Sequence, residues 1–329
     1  MIYLTRIAPF LLGMSSLCSG QTLVETIEQT LLTNPNIQSS AYNVDAADAL
    51  RRQAVAGYLP SIDLVLARGL EKSDNTTTRA SGDTNRNFDR FERAITLNQM
   101  LYDGFSTAAF VKQQDAILAA TTQRLATTRE NTALRSAQAY LEVLRRDQVV
   151  ALSQANLVQH DETLLKIEER FESGVGTKVD VVQTKGRRAQ SKSSVLLSEK
   201  DAQNGRVEFY RVVGESPRAL LLPVRPKGLP ETLEQAVQIA FRTNPQVKAA
   251  QFDLEASQAA RKQILGGYSP RVDLALGATR NDDMGGSPGA ADSENAVIRM
   301  SYNLYRGGAD RAKMKEAIAR INAAEQALI

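Results

Sequence analysis

The chain has 329 residues, a 43% hydrophobic share, a 23% charged share and a formal net charge of +3. These values exclude an intrinsically disordered chain and a strongly basic nucleic-acid binder. Aromatic residues make up 5% and tryptophan is absent, a composition that suits long helices better than a compact aromatic core.

The N-terminus carries the first sharp signal. Met1 to Arg6 holds one arginine, Ile7 to Leu17 is mostly apolar, and Cys18, Ser19 and Gly20 are small before polar Gln21 and Thr22. This pattern predicts a secretory signal peptide over residues 1–20, cleaved near Gly20. A short N-terminal helix is the alternative. A lipoprotein signal fits less well, because Leu17 stands just before Cys18 where a small residue is expected. Removing the leader removes the only cysteine, so no disulfide is expected even in an oxidising compartment. No run of 18 apolar residues follows, so no transmembrane helix is expected. Any membrane insertion then has to use β-strands.

The first repeat follows, over 21–214. Thr22 with Glu25 forms a capping-box pattern, which predicts a short helix. Asn34-Pro35 breaks it and starts a second helix over about 36–57, with Asn as cap and Pro in the first helical position. Pro60 ends that helix, because the residue before a proline is pushed to extended structure. A hairpin is predicted over 61–103. Ile62, Leu64 and Leu66 alternate on one face, and Ile95, Leu97 and Leu101 answer them beyond a polar loop from Ser73 to Asn87. A soluble hairpin packed on helices is the alternative.

A long helical hairpin is predicted over 104–214. Gly104 opens a stretch to Phe171 without proline or internal glycine; as one helix it would reach about 100 Å. Such a length needs a partner helix. Leu134, Ala137, Leu141 and Leu144, then Val150, Leu157, Leu164, Ile167 and Phe171, mark its apolar seam. Glu172 to Thr177, with Gly174 and Gly176, is a tight turn. Helix resumes from about Lys178 to Val213, with Val182, Ala189, Leu196, Val207 and Tyr210 expected to face back, antiparallel. Gly214 stops it. Residues 215–230, with four prolines, form a linker.

The second repeat, 231–329, copies the first. Thr232, Asn244-Pro245, Gly267-Tyr268 and Pro270 stand 210 residues after Thr22, Asn34-Pro35, Gly57-Tyr58 and Pro60. Leu304-Tyr305-Arg306-Gly307 stands 203 residues after Leu101-Tyr102-Asp103-Gly104. A hairpin is predicted over 271–306, with Val272, Leu274 and Leu276 opposite Ile298, Met300, Tyr302 and Leu304 and a polar loop over 281–294 between them. A long helix then starts near Gly307. Pro60, Gly104, Pro270 and Gly307 are the structural turns. The second copy is expected to be incomplete: 22 residues follow Gly307, so roughly 90 are missing if the copies were once alike.

Catalytic patterns are not found. The lone histidine, His160, stands beside Asp161 and Glu162 on a helix face expected to be solvated, as are the pairs Arg145-Arg146 and Arg187-Arg188. No His/Cys/carboxylate set has metal spacing. Gly266-Gly267 and Gly285-Gly286 lack the context of a phosphate loop. Neither an enzyme nor a cofactor is expected.

Two hairpins give four strands, and about eight is the smallest closure of a membrane barrel. An open edge in lipid leaves unpaired backbone groups, each costing several kcal/mol. Membrane hairpins would therefore require several chains to share one barrel. The ordered set of Asn-Pro at 34–35 and 244–245, Tyr-x-Pro at 58–60 and 268–270, and Leu-Tyr-x-Gly at 101–104 and 304–307 resembles the TolC family. So does Arg170-Phe171-x-x-Gly174-x-x-Thr177-x-x-Asp180-Val181.

The resemblance covers residues 22–329 and implies a mainly α fold with a β-hairpin membrane part. In that fold a helical barrel and a transmembrane β-barrel form by oligomerisation, from two structural repeats of which the second is incomplete here. It implies a homotrimer in the outer membrane, in contact with its lipid and extending into the periplasm of a Gram-negative bacterium. It implies work with a periplasmic adaptor (membrane fusion) protein and an inner-membrane transporter, and no energy use of its own. Phe171, Gly174, Gly176, Thr177, Asp180 and Val181 then fall at the periplasmic entrance and adaptor-docking turn, although Gly176 stands where the family often has a larger apolar residue. On residue chemistry alone the glycines permit the turn and Asp180 caps a helix.

Three functions fit this reading. One is a passive exit duct for multidrug efflux or type I protein secretion, with Leu101-Tyr-Asp-Gly-Phe105 leaning to the secretion branch. The others are a non-functional truncated fragment of such a channel and a soluble periplasmic coiled-coil adaptor.

Overall fold

The computed structural model describes residues 20–226 and 228–328. The expected leader lies outside them except for Gly20. The elements, in order, are α1 (Leu23–Thr33), α2 (Pro35–Ala56), β1 (Ser61–Glu71), α3 (Thr76–Ser81), β2 (Phe88–Tyr102), α4 (Ser106–Glu172) and α5 (Lys178–Val213). The second repeat contributes α6 (Leu233–Thr243), α7 (Pro245–Gly266), β3 (Arg271–Asp282), β4 (Ala290–Ser301) and α8 (Ala309–Leu328). The bounds of α6 and α7 lie 210 residues after those of α1 and α2, and α8 starts 203 residues after α4, so the repeat read in the sequence is a repeat of structure.

Local chemistry sets most of these boundaries. Thr22 Oγ1 accepts from the Glu25 amide while Glu25 accepts from the Thr22 amide, which satisfies two amides at the open end of α1. Asn34 accepts from the Asn36 amide and Asn244 from the Gln246 amide, each with a proline leading its helix. Gly214 closes α5 at φ 89°, a left-handed conformation that costs glycine little.

The chain divides into two compact units. One holds the residues up to Ser39 and Thr128–Thr232; the other holds Ser40–Thr127 and the residues from Leu233 on. The second unit contains one antiparallel four-stranded sheet in the order β1-β2-β3-β4. The two hairpins are joined because β2 also pairs with β3, with Leu97 opposite Leu276 and Ile95 opposite Ala278. Three expectations are corrected here. The second return strand stops at Ser301 rather than running to 306, leaving Tyr302 and Leu304 outside it. Its counterpart β2 runs to Tyr102 because β3 holds that end through Val272 and Asp273, and β4 has no second partner to do the same. The loop of the first hairpin is not wholly irregular: Asn75 accepts from the amides of Thr77 and Thr78 and starts α3. The second hairpin's loop is shorter than 281–294, covering only 283–289. The two hairpin tips touch, since Asn75 Nδ2 donates to the Gly285 carbonyl at 2.7 Å and the Gly285 amide donates to Glu71 at 2.9 Å.

In the first unit α4 and α5 pack antiparallel. Cross-links step along them: Arg206 to Asp147 at 2.7 Å, Gln154 to Glu199 at 3.4 Å, Ser191 to Asn156 at 3.0 Å, Arg188 to Asp161, and Lys185 to Glu168 at 2.9 Å. The heptad period holds on α5, but its phase is one residue early. The buried stripe is Val181, Ser191, Val195, Ser198, Ala202, Gly205 and Phe209, whereas Val182, Leu196, Val207 and Tyr210 are exposed. Small residues predominate in this stripe, and at Gly205 the absent side chain leaves room for Arg146, whose Cδ would lie 2.9 Å from a Cβ there and whose guanidinium donates to the Asp201 carbonyl. On α4, Val150, Leu157, Leu164 and Ile167 are half-buried as expected, but Leu134 and Leu141 are exposed and Thr132, Ser136, Ala139, Tyr140 and Val143 are buried in their place. His160 is half-buried rather than fully solvated.

The core of this unit joins Ala139, Tyr140, Val143, Phe209 and Val213, with Leu23 and Leu220 packed against it. The 215–230 segment is therefore not a free linker throughout: Gln21 bridges Leu220 in parallel, and the Gln21 amide donates to the Ala219 carbonyl at 2.9 Å.

Candidate functional site

Two places combine unusual exposure with order. The first is the sheet. Strand alternation and the observed register put Ile62, Leu64 and Leu66 of β1, Ile95 and Leu97 of β2, Val272, Leu274 and Leu276 of β3, and Ile298 and Met300 of β4 on one face. The exposed members include Ile62 at 65%, Ile298 at 70% and Met300 at 69%. The opposite face carries Asp63, Thr96, Gly277 and Asn295 in one row, and Val65, Ala94, Thr279 and Ser293 in the next. One face is thus an apolar band about 20 Å tall, from seven β3 residues at about 3.3 Å each; the other is small and polar.

Towards the hairpin tips the apolar face turns charged. Arg68 pairs with Asp89 at 2.6 Å and Arg93 with Asp282. At the other end, Tyr58, Tyr102, Phe105, Tyr268, Tyr302 and Tyr305 are all exposed where helix and strand meet. An apolar band with an aromatic rim and a charged rim is the surface expected at a lipid layer. No helix among the described residues is long and apolar enough to cross a membrane.

The structural turns all sit at these junctions. Pro60 and Pro270 directly precede β1 and β3, and Gly104 and Gly307 have φ of 67° and 61°.

The second place is the turn between α4 and α5. Thr177 caps α5: its Oγ1 accepts from the Asp180 amide at 3.2 Å and donates to the Asp180 carboxylate at 2.6 Å. The hydroxyl and amide of Thr177 hold the Asp180 carboxyl below its usual value. Gly174 turns at φ 80° with open space around it. Gly176 is pressed inward instead, where a Cβ would come within 3.1 Å of the Phe171 amide nitrogen, and its own amide donates to the Arg170 carbonyl at 2.9 Å. The small residue at 176 thus follows from close backbone approach.

Of the six sequence-expected residues, Gly174, Gly176, Thr177 and Asp180 build the turn, Val181 is buried and Phe171 is exposed. Sequence reasoning missed Val175 and Val179, exposed at 71% and 74%. Apolar residues flanking Gly176-Thr177-Lys178 in an otherwise polar turn are the available signal. Phe171 and Val182, beside the turn in sequence, are exposed as well.

A polar cleft of about 580 Å³ also lies in the first unit, lined by residues including Asn34, Asn36, Arg135, Glu142, Glu208 and Arg211. Arg145 and Arg146 beside Glu142 hold its carboxyl down to about 2. Among the described residues no group of His, Cys, Asp and Glu could hold a metal ion.

Residues 26–215 and 236–328 match the family described as Outer membrane efflux protein. The outer membrane efflux protein BepC of Brucella suis biovar 1 is 26% identical over 302 residues, covering 91% of this chain and 64% of that protein. The outer membrane protein TolC of Escherichia coli K12 is 25% identical over 339 residues, covering 95% of this chain and 66% of that protein. The chain therefore spans just under two thirds of the length of these relatives. A membrane protein from Pseudomonas aeruginosa, solved as a crystal structure, shares the fold with a TM-score of 0.81 at 18% identity, over 93% of this chain and 72% of that one.

Proposed function

Because the chain belongs to the outer membrane efflux protein family, we propose that it is a channel subunit forming a passive exit duct through the outer membrane, for multidrug efflux or type I protein secretion. The observation that carries this reading is the four-stranded sheet with one apolar face, one small polar face and two unpaired outer edges. Four strands leave polar backbone open to lipid, each unpaired group costing several kcal/mol. Three chains bring twelve strands, an even antiparallel number above the smallest known closure. The apolar faces then meet outer-membrane lipid and the polar faces line the duct.

The exposed apolar residues of α4 and α5 that do not face each other, such as Leu134, Leu152, Leu196 and Leu197, are the surface by which the helices of neighbouring copies meet in a periplasmic wall. The tip of the α4–α5 turn is the docking point for a periplasmic adaptor, which links the duct to an inner-membrane transporter that supplies the energy. In this reading Phe171, Val175 and Val179 make the contact, while Gly174, Gly176, Thr177, Asp180 and Val181 shape and hold it.

The test is fractionation followed by electrical recording. The protein should partition into the outer membrane, migrate as a multimer in mild detergent, and open discrete conductances in planar bilayers. Recovery as a monomer in the periplasmic fraction, without conductance, would overturn the reading.

A further inference from the structure

The pairing of β2 with β3 sets two cations face to face on the apolar side of the sheet. Arg93 stands directly opposite Arg280. Like charges on directly opposed residues destabilise a sheet, because their Cβ atoms are only about 4.5–5.5 Å apart. One step nearer the helices on the same face, about 7 Å along the strands, Ile95 stands opposite Ala278 and Leu64 of β1. The arginines therefore mark the line where the apolar band ends.

A groove of about 320 Å³ crosses that line. Leu64, Ile95 and Ala278 line its apolar part, and Arg93 and Arg280 line its charged part together with Asp292 and Glu294 of β4. Neither arginine is saturated by the protein. Arg93 pairs with Asp282, yet its Nε has no hydrogen-bond partner among the described residues. Its guanidinium lies 4.4 Å from the centre of the Phe91 ring, a cation–π contact that restrains it. Arg280 comes no closer to Asp292 than 3.7 Å, with both side chains more than half exposed. A guanidinium presents more N–H donors than one carboxylate accepts from, so the pair keeps donors for an acceptor from outside.

We propose that this groove binds the phosphorylated head of an outer-leaflet glycolipid. The phosphate bridges Arg93 and Arg280, and an acyl chain lies on Leu64, Ile95 and Ala278. A phosphate between the opposed guanidiniums cancels their repulsion and matches their planar donor forks. The groove is also polar and apolar at the right ends: its charged part points to the hairpin tips and its apolar part to the middle of the band, as a lipid stands in its leaflet. The inference rests on the membrane placement proposed above, which turns the tips outward, and adds a specific lipid to it.

The acidic neighbours choose among anions. Asp282, Asp292 and Glu294 outnumber the arginines, so a bare phosphodiester gains little from the local field. A phosphate monoester that brings a divalent cation gains more, because the cation faces Asp292 and Glu294 while the phosphate faces the arginines. That is the head chemistry of a phosphorylated glycolipid and not of an ordinary phospholipid.

Lipid retention by the purified full chain tests the site. The protein is incubated in mild detergent with diphosphoryl lipid A and magnesium, freed of excess lipid, and the bound lipid is counted by native mass spectrometry. The unsubstituted protein should retain about tenfold more than Arg93→Gln with Arg280→Gln, the loss expected for charge-assisted hydrogen bonds. Arg280→Gln alone disturbs only a long, exposed pair, so it should keep the multimer and still lose retention. EDTA should lower retention by the unsubstituted protein to the level of the variants. Equal retention by the unsubstituted protein and Arg280→Gln overturns the site. Equal retention of phosphatidylglycerol, or indifference to EDTA, overturns the choice of a cation-bearing phosphate monoester. All of these leave the channel reading standing, which fails separately if the unsubstituted protein forms no multimer and no conductance.

Discussion

Tyr140 of α4 lies 2.6 Å through its hydroxyl from the carbonyl oxygen of Leu221, with the carbonyl of Gln21 at 2.8 Å. One proton serves two acceptors, and burial raises the phenol above its usual value, so it stays a donor. The side chain is fully buried. It ties the stretch before α1 and the stretch after α5 to the long helix. Tyr140→Phe should cost about 0.5–1.5 kcal/mol, the net worth of a hydrogen bond whose acceptors are only partly buried. Chemical denaturation followed by circular dichroism measures it, and an unchanged midpoint would show that water replaces the hydroxyl.

Two glycines with similar backbone angles should respond differently to alanine. Gly174 has φ 80° and open space; Gly104 has φ 67° and would drive a Cβ to 2.4 Å from the Gly266 carbonyl. Gly174→Ala should cost about 1–2 kcal/mol of backbone strain alone. Gly104→Ala adds a backbone clash and should lower folded yield outright. Comparable thermal midpoints for the two variants would contradict the close approach.

Acid stability should depend on Glu142. Arg145 first, then Arg146, hold its carboxyl down to about 2 from an ordinary 4.5. A depressed folded-state value means the contribution is present above the unfolded value and lost as pH falls through the folded one. The stability difference between the protein and Glu142→Gln should be constant near neutrality, shrink below pH 4.5 and vanish near pH 2. Its size is small, because the side chain is 37% exposed and solvent screens the pair. A difference that grew on acidification would reverse the assignment.

The two stripes of α5 separate folding from assembly. Ala202, 2% exposed, faces α4, and Leu196, 59% exposed, does not. Ala202→Leu should overpack the helix pair and cost about 1–3 kcal/mol. Leu196→Ser should leave the monomer within about 0.5 kcal/mol but reduce the multimer fraction in native gels. Equal loss of folded protein in both variants would show that the stripes are not separate.

The same α5 residues show where sequence reading ends. Boundaries were legible because their causes are local: Thr22 with Glu25, Asn34 before Pro35, Thr177 with Asp180, and Gly214 each settle a chain end with neighbouring atoms. The strands were legible from their alternation. The phase of the α4–α5 contact was not, because Val181 and Val182, Val195 and Leu196, and Phe209 and Tyr210 are adjacent apolar pairs, and hydrophobicity does not say which member faces its own hairpin. Only the bulk permitted at Ser198, Ala202 and Gly205 decides it. The end of β4 was misread for a related reason: Tyr302 and Leu304 keep the alternation, but a strand also needs a neighbour to pair with. At the turn, the sequence marks the residues that shape it, whereas the exposure of Val175 and Val179 depends on how the turn folds.

The meeting of the hairpin tips has a practical consequence. A Cβ at Gly286 would lie 2.3 Å from Thr78 Cγ2, and Thr78 is wholly buried. The tips therefore behave as one solid cap rather than as two loose flaps. An epitope inserted within 283–289 would unseat α3 along with it, so a silent tagging position has to be sought elsewhere.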